Sequence, residues 1–325
     1  MACSLPALVC WASGEHGAQT FTIVELNCEN LFDTVRDSLH DDAQFQPTGD
    51  HHWTPSRYWR KLNRTAQTII AAGTEGSDWL PADLVALVEV ENDTVLNDLC
   101  QRSALRNARY RYLVTHGSDG RGMNVALLYS PFTFHLTHWR AVSVKPIDGM
   151  KPTRDLLYAA GETIVGDTVH VIVAHAPSRT GGERATRRFR QVVAEHIVAL
   201  IDSVRQVQAD AKIVVAGDLN DYSSDASVKA IVAAGMDNIS SMAQGRHGAR
   251  GTYRYHGRWG SLDHIIVSKV FSQNLVETFI LDEPFLLASD EKYGGTQPRR
   301  SYLGPRYLDG FSDHLPLVAR FTLAR

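Results

Sequence analysis

Three segments of this 325-residue chain set acids, an amide and imidazoles directly against apolar strands: Gly217-Asp218-Leu219-Asn220-Asp221, Ser261-Leu262-Asp263-His264 and Phe311-Ser312-Asp313-His314-Leu315-Pro316. A carboxylate at the edge of a core is costly unless it is paired or holds a metal. Three such places therefore favour a fold that gathers these strand ends into one polar pocket, and such a pocket points to catalysis.

The remaining pattern supplies the frame. Residues 20–27 read as a β-branched strand, 55–73 as a helix with apolar residues at helical spacing, 83–90 as a buried strand and 94–102 as a short helix. Residues 109–115 and 124–129 read as a strand pair resembling a hairpin, and 132–144 and 156–165 as less regular β segments. The run 168–175 is a strong strand ending on His175, and 183–207 carries the stripe of an amphipathic helix that packs on a sheet. Strands at 212–216, 263–268, 275–281 and 316–323 and a helix at 226–234 complete the inventory. The connection 282–310 is rich in Gly, Pro, Tyr and Arg, and connections of that length are often functional. The alternation gives an α/β class with many strands, read as one domain over 20–325 after a leader or unstructured segment at 1–19.

Composition excludes more than it identifies. Apolar content of 44% and charged content of 21% are ordinary globular usage. A net charge of −3 gives no global attraction to nucleic acid, which leaves only local patches for that role. Cys3, Cys10, Cys28 and Cys100 show no C-x-x-C spacing, so neither a zinc site nor a disulfide scaffold is indicated. Residues 5–12 form an apolar run followed by small residues but lack a basic flank, which leaves a secretory leader and a plain N-terminal tail both open. The expected location is accordingly cytoplasmic, or exported if the leader is real. No later run approaches the roughly 18 apolar residues of a membrane-spanning helix, and a soluble monomer without an obligate protein partner is expected.

Three further segments precede the opening ones: Glu25-Leu26-Asn27-Cys28-Glu29-Asn30-Leu31-Phe32, Ala86-Leu87-Val88-Glu89-Val90-Glu91-Asn92 and Val173-Ala174-His175-Ala176-Pro177-Ser178. With all six in order, the chain resembles the endonuclease/exonuclease/phosphatase family from Asn27 to His314. That family includes deoxyribonuclease I, abasic-site endonucleases, inositol polyphosphate 5-phosphatases and sphingomyelinases. The resemblance implies a four-layer α-β-β-α sandwich of two mostly antiparallel sheets, with the site at one end.

Hydrolysis of a phosphodiester needs a hard cation on the phosphoryl oxygens, an oriented water and a way to stabilise the departing oxygen. Glu89, at the end of a buried strand, is the expected ligand for Mg²⁺ or Mn²⁺, with Ca²⁺ also compatible, because these ions prefer oxygen donors. Asn27 can add or orient an amide oxygen beside it. In the family pattern Asp313 completes the metal side, Asp218 deprotonates or aligns the water, and Asn220, two residues on and on the same face, donates to a phosphoryl oxygen. Asp263 would accept from one nitrogen of His314 and leave the other for the phosphate. His175 would protonate the leaving oxygen or hold the phosphate. Deoxyribonuclease-like members support that histidine with a carboxylate from the preceding β region, for which residues 116–119 offer no clear equivalent. Arg121 and Arg179 are expected phosphate contacts. Arg179 heads a group with Arg184, Arg187, Arg188 and Arg190 near a helix start, half of which reads as a solvated face.

Simpler explanations compete for single motifs. Asp218 and Asn220 alone could form an Asx turn or cap a helix. Glu91 competes with Glu89 for the ligand role, although a surface or supporting position suits it better. His51 and His52 read as loop histidines. The aromatic stretch 252–259 could stack on bases or simply pack. The expected function is a divalent-metal-dependent phosphoesterase acting on phosphodiesters, a nuclease with DNA or RNA as substrate. A phosphomonoester or phospholipid substrate of inositol phosphate or sphingomyelin type is the alternative. A catalytically silent binding protein is disfavoured by the intact residue set.

Overall fold

The computed structural model describes residues 18–75 and 78–324; the leader expected at 5–12 lies outside the described residues. Along the chain come β1 (Gln19–Leu31), α1 (Pro55–Ala72), β2 (Leu84–Val90), β3 (Arg111–Val114), β4 (Asn124–Tyr129), β5 (Phe134–Val142), β6 (Leu156–Thr163) and β7 (Thr168–His175). There follow α2 (Glu183–Val207), β8 (Lys212–Asp218), α3 (Ala226–Ala233), β9 (Met236–Asn238), β10 (Asp263–Ser268), β11 (Leu275–Ile280) and β12 (Leu317–Leu323). The strands form two six-stranded sheets, ordered β11-β12-β1-β2-β4-β3 and β9-β10-β8-β7-β6-β5. Neighbours run antiparallel except for one central parallel pair in each sheet, β1 with β2 and β7 with β8.

Alternation along the strands sorts the core into layers. Val171, Val173, Val214, Ala216, Ile265 and Val267 join the cluster shared with the first sheet. Their neighbours Ile172, Ala174, Ile213, Val215 and Ile266 turn outward onto Val193, Ile197, Leu200 and Ile201 of α2. On the opposite side α1 buries Leu62, Ala66 and Ile69 at a four- and three-residue spacing. It begins where Pro55 fixes the first turn and Thr54 accepts from the Arg57 amide at 3.4 Å. Each fully buried aliphatic side chain contributes about 1.5–3 kcal/mol. The order of layers is thus α1, sheet, sheet, α2 with α3.

Local departures from the sequence reading have physical causes. The segment 94–102 is α-helical only over Asp93–Asn97 and continues as a wider π turn over Asp98–Arg102, which places Asp98 under the Tyr58 hydroxyl at 2.9 Å. β5 and β6 pair regularly; one register shift between Leu136 and His138 broke the alternation that the sequence shows. β8 extends two residues beyond 216, so Asp218 is its last residue. The connection 282–310 holds two short hairpins, Leu287–Ser289 with Thr296–Pro298 and Tyr302–Leu303 with Arg306–Tyr307. Cys28 and Cys100 are buried, which pushes both thiols up to about 12. No helix among the described residues is long and apolar enough to cross a membrane.

The arginine group divides as its helix position requires. Arg184, Arg187 and Arg188 are exposed, whereas Arg190 is buried, donating from Nε to Asp221 Oδ1 at 2.6 Å and from Nη1 to Thr186 Oγ1 at 2.7 Å. Asp221 also accepts from Ser227 Oγ at 2.6 Å, so this ion pair ties α2 to the segment leaving β8. Removing one partner of a buried pair leaves an uncompensated charge. Arg190→Ala is expected to destabilise the fold by about 3 kcal/mol, read by chemical denaturation, and a loss below about 0.5 kcal/mol would show that the pair contributes little.

Candidate active site

Register explains why the site forms at one end of the sheets. Asp218 stands opposite His175 across the parallel β7/β8 pair and opposite Asp263 across the antiparallel β8/β10 pair. A β-carbon on Gly217 would fall 1.9 Å from the Ala174 carbonyl oxygen, and the residue sits at φ +144°, so this close approach of β7 and β8 requires glycine. In the facing sheet Asn27 of β1 is aligned with Val88 of β2. The β1/β2 register shifts after Asn27 and the β2/β4 register shifts between Val88 and Val90. Glu89 occupies that bulge at φ +60°, a left-handed conformation that costs a non-glycine residue about 1–2 kcal/mol. Bulges beside active sites re-aim a side chain, and this one carries Glu89 Oε1 to within 3.8 Å of His175 Nε2 in the other sheet.

The two sheets meet through polar side chains. Asn27 Nδ2 donates to Asp218 Oδ2 at 3.1 Å, while its Oδ1 accepts from the Glu29 amide at 2.9 Å. Asp218 Oδ1 accepts from the Asn220 backbone amide at 2.8 Å, and Asn220, at φ +52°, donates from its side-chain Nδ2 to the Ala176 carbonyl at 3.1 Å. His175 Nε2 lies 3.8 Å from Asp218 Oδ2. His314 Nδ1 bonds Asp263 Oδ2 at 2.7 Å, and Thr252 Oγ1 donates to the same oxygen. Ser312 Oγ donates to the Asn27 carbonyl at 2.7 Å and accepts from the His314 amide at 3.1 Å, fixing the His314 segment to β1.

These contacts set the charge states. Burial pushes Asp218 up to about 7, with Asp263 adding to the rise. Burial works against a charge on His314, but Asp263, by charge and by hydrogen bond, overcomes it and holds the imidazole well above its ordinary value. Burial, then Arg154 and Arg121, push His175 well below. His314 is therefore the cation of the site and His175 is neutral.

The structure brings Asn27, Glu89, His175, Asp218, Asn220, Asp263 and His314 together. Arg121 stands at the edge, donating to Asn30 Oδ1 at 2.9 Å, and the Asn30 amide donates to Glu89 Oε2 at 2.8 Å. Asp313, expected on the metal side, is paired with Arg300 at 2.6 Å. Arg179, expected on the phosphate, donates instead to the Asn220 carbonyl at 2.8 Å and to Asp225 at 2.6 Å and lies over the Tyr222 ring at 4.3 Å; it clamps the loop that carries Asn220. Glu91 is buried rather than on the surface and accepts from the Asp33 amide at 2.6 Å, so Glu89 alone of the two faces the site. The carboxylate sought for His175 near residues 116–119 serves elsewhere. His116 meets Asp93 at 3.0 Å and Asp119 meets Arg154 at 3.3 Å, while His175 Nδ1 has no hydrogen-bond partner among the described residues. Sequence reading missed Thr252, Ser312 and Arg154. The first two lay inside segments already singled out, whereas Arg154 is a lone arginine before an apolar strand and carried no signal.

A family model described as Endonuclease/Exonuclease/phosphatase family matches residues 22–323. The chain belongs to that family. Among solved structures it is similar to a family protein from Bacteroides thetaiotaomicron, at 14% identity and TM-score 0.61 over 95% of this chain and 100% of that one. It is also similar to TDP2 from Caenorhabditis elegans, at 14% identity and TM-score 0.57 over 94% of this chain and 75% of that one. A mannosyl-6-phosphatase from Bacteroides thetaiotaomicron matches at 14% identity and TM-score 0.59 over 92% and 98%. None of the curated proteins matches the sequence. At these identities the likeness to solved structures carries the fold: the paired six-stranded sheets are the family's α/β sandwich.

Proposed function

We propose that this chain is a divalent-metal-dependent phosphoesterase that hydrolyses phosphodiester bonds, with nucleic acid as its substrate. The observation that carries the reading is the convergence of Glu89, Asp218, His175 and the Asp263–His314 pair, drawn from both sheets, on one end of the sandwich. Carboxylates there outnumber the single imidazolium, and Asp263 and Glu89 add to the upward push that burial gives Asp218. Oxygen donors in surplus fit a hard cation. Glu89 would hold Mg²⁺, Mn²⁺ or Ca²⁺; the Asn27 amide oxygen, which accepts from the Glu29 amide, and Asp313, paired with Arg300, would join it only on leaving those partners. Donor atoms of Asp218, Asp263 and His314 also lie within 4.8 Å of one another, and a cation would bind that trio only by displacing the proton of His314. A cation bound at Glu89 would neutralise phosphoryl charge and favour attack by water.

Ionised Asp218, oriented by the Asn220 amide and by Asn27 Nδ2, accepts the proton of the attacking water. The His314 imidazolium, held by Asp263, presents its free nitrogen to a phosphoryl oxygen and stabilises the charge that develops there. Neutral His175 has no proton to give as an acid at its depressed pKa, so its role is to hold the phosphate by hydrogen bond. Arg121 stands at the phosphate's edge. The aromatic flank favours a nucleic acid over a small ester. The Tyr253 ring lies 4.8 Å from that of His314, and Tyr255, 60% exposed, stacks on His256 at 4.0 Å, a surface on which bases could stack.

The test is turnover of bis-p-nitrophenyl phosphate, p-nitrophenyl phosphate, plasmid DNA and RNA with Mg²⁺ or Mn²⁺, before and after EDTA. Expected are metal-dependent cleavage of the diesters, faster than of the monoester, and a Tm raised by the metal in the absence of substrate. Faster monoester cleavage would favour the phosphatase alternative, and no turnover of any phosphoester would reject the reading.

A further inference from the structure

A second pocket borders the site and shares only Arg121 with the chemistry above. It is a cavity of about 600 Å³ formed by the loop between β5 and β6, the loop bearing Arg121, and the segment from Pro177 into the first turns of α2. Arg121, Lys151 and Arg154 line it together with the apolar Met150 and Phe189. Its acids are Asp119, which meets Arg154 Nε at 3.3 Å, and Asp41 at the exposed rim. Three cations against two acids leave one net positive charge.

Arg154 is the unusual member. It is only 8% exposed, and its Nε has no hydrogen-bond partner among the described residues, the approach to Asp119 being poorly directed. Burial presses against its charge, Asp119 offsets part of that, and Arg121 adds repulsion. A guanidinium desolvated in this way without a matched acceptor is costly, and an oxyanion entering the pocket would supply the acceptor. Its charge also reaches His175, Glu89 and Asp218, which places the pocket next to the reacting phosphate. The size suits one small-molecule unit, and the net positive charge suits a phosphate.

Resting on the phosphodiesterase reading, we propose that this pocket binds the nucleotide unit adjacent to the scissile phosphate, with that unit's own phosphate on Arg154 and Lys151 and its apolar face on Phe189 and Met150. The preference for a substrate with a second phosphate is then built by this pocket and not by the catalytic residues. A small bisphosphate could offer the same phosphate without a nucleoside, so the experiment compares both sources.

The test measures kcat/KM for the dinucleotide TpT, for the same dinucleotide with an added 5′ or 3′ phosphate, and for ribose 1-phosphate against ribose 1,5-bisphosphate. Wild type should prefer one of the phosphorylated dinucleotides to TpT by about 10- to 100-fold, in the range that one or two charge-assisted contacts give. That ratio should shrink at least fivefold in Arg154→Gln and in Lys151→Glu, the second at an exposed position that spares folding. A ratio unchanged in both variants overturns the proposal, and a preference confined to the ribose pair overturns its nucleotide part. Calorimetric binding of thymidine 3′,5′-bisphosphate to metal-free protein reads the pocket without turnover. Affinity should fall at least fivefold in Lys151→Glu and less in His314→Ala; the reverse order overturns the pocket even if phosphoester cleavage is confirmed, whereas absence of all cleavage with the expected binding rejects the catalytic reading alone.

Discussion

Asp218→Asn is expected to lower kcat on bis-p-nitrophenyl phosphate on the order of 10³-fold while raising the Tm of the metal-free protein at pH 8. The activity loss follows from removing the group that accepts the water's proton, a role worth about 10²–10⁴-fold, in a side chain that otherwise keeps its shape. The stability gain follows from linkage. The carboxyl is pushed from an ordinary 3.8 up to about 7 by burial and by Asp263, so the folded state resists its ionisation. A group with a raised folded pKa contributes stability that is complete below the unfolded value and is lost as pH rises towards the folded one. Wild type therefore gives up a few kcal/mol between pH 4 and pH 7 that the amide does not. Against this stands one hydrogen bond, because Asp218 accepts from both Asn220 and Asn27 and the amide has one acceptor, at a cost of about 1 kcal/mol. The net expectation is no gain at pH 4 and a rise of about 3–6 °C at pH 8. An amide variant less stable than wild type at pH 8 would show that Asp218 carries no electrostatic strain.

The same residue shows how far the sequence could be read. Its motif stood out because Gly217 and the acid follow an apolar run, and that pattern is local. The pairing of Asp263 with His314 is not local and was readable only because the family resemblance assigns it; the two are bonded at 2.7 Å. What the sequence could not show is how one side chain is shared among partners. Arg179 looked like a phosphate contact because it follows His175 at a helix start, but Asp221, Asp225 and the Asn220 carbonyl, more than 40 residues away, take its donors. Asp313 shared the motif of His314, yet its neighbour in sequence gave no hint that Arg300 would fold back onto it. Glu89 and Glu91 were separable only through the bulge at φ +60°, a backbone event set by registers on both sides of β2. The layers and strand order were legible as a class, because alternation reports burial. The long β5 strand was read as irregular since one bulge near Leu136 shifts the period.

Asp263→Asn is expected to move the alkaline limb of the pH–rate profile to lower pH by two units or more and to cut kcat at pH 7.5 by about 10²–10³-fold. His314 is buried, and burial alone would depress its pKa; Asp263 is what holds it up. An amide at 263 cannot supply that charge, while Thr252 still has an oxygen at 263 to donate to and Ser312 still holds the His314 backbone to β1. His314 would then lose its proton near or below neutral pH, and the phosphoryl oxygen would face a neutral ring. Stability falls with rising pH as it does for Asp218, but the substitution acts in the opposite direction, because it removes the group that raises the pKa. A histidine whose folded pKa is raised contributes stability that is complete below its unfolded value near 6.5 and is lost as pH rises through the folded value. The variant should therefore be less stable than wild type at pH 6, with the deficit narrowing at alkaline pH. Separating these two signs identifies the pair, since a general loss of fold would lower Tm equally across the range and leave the alkaline limb of any surviving activity where it was. An unmoved limb, with the His314 ring titrating as in wild type by proton resonance, would mean that Asp263 merely packs beside the imidazole and that its charge does not set the cation on which phosphate stabilisation depends.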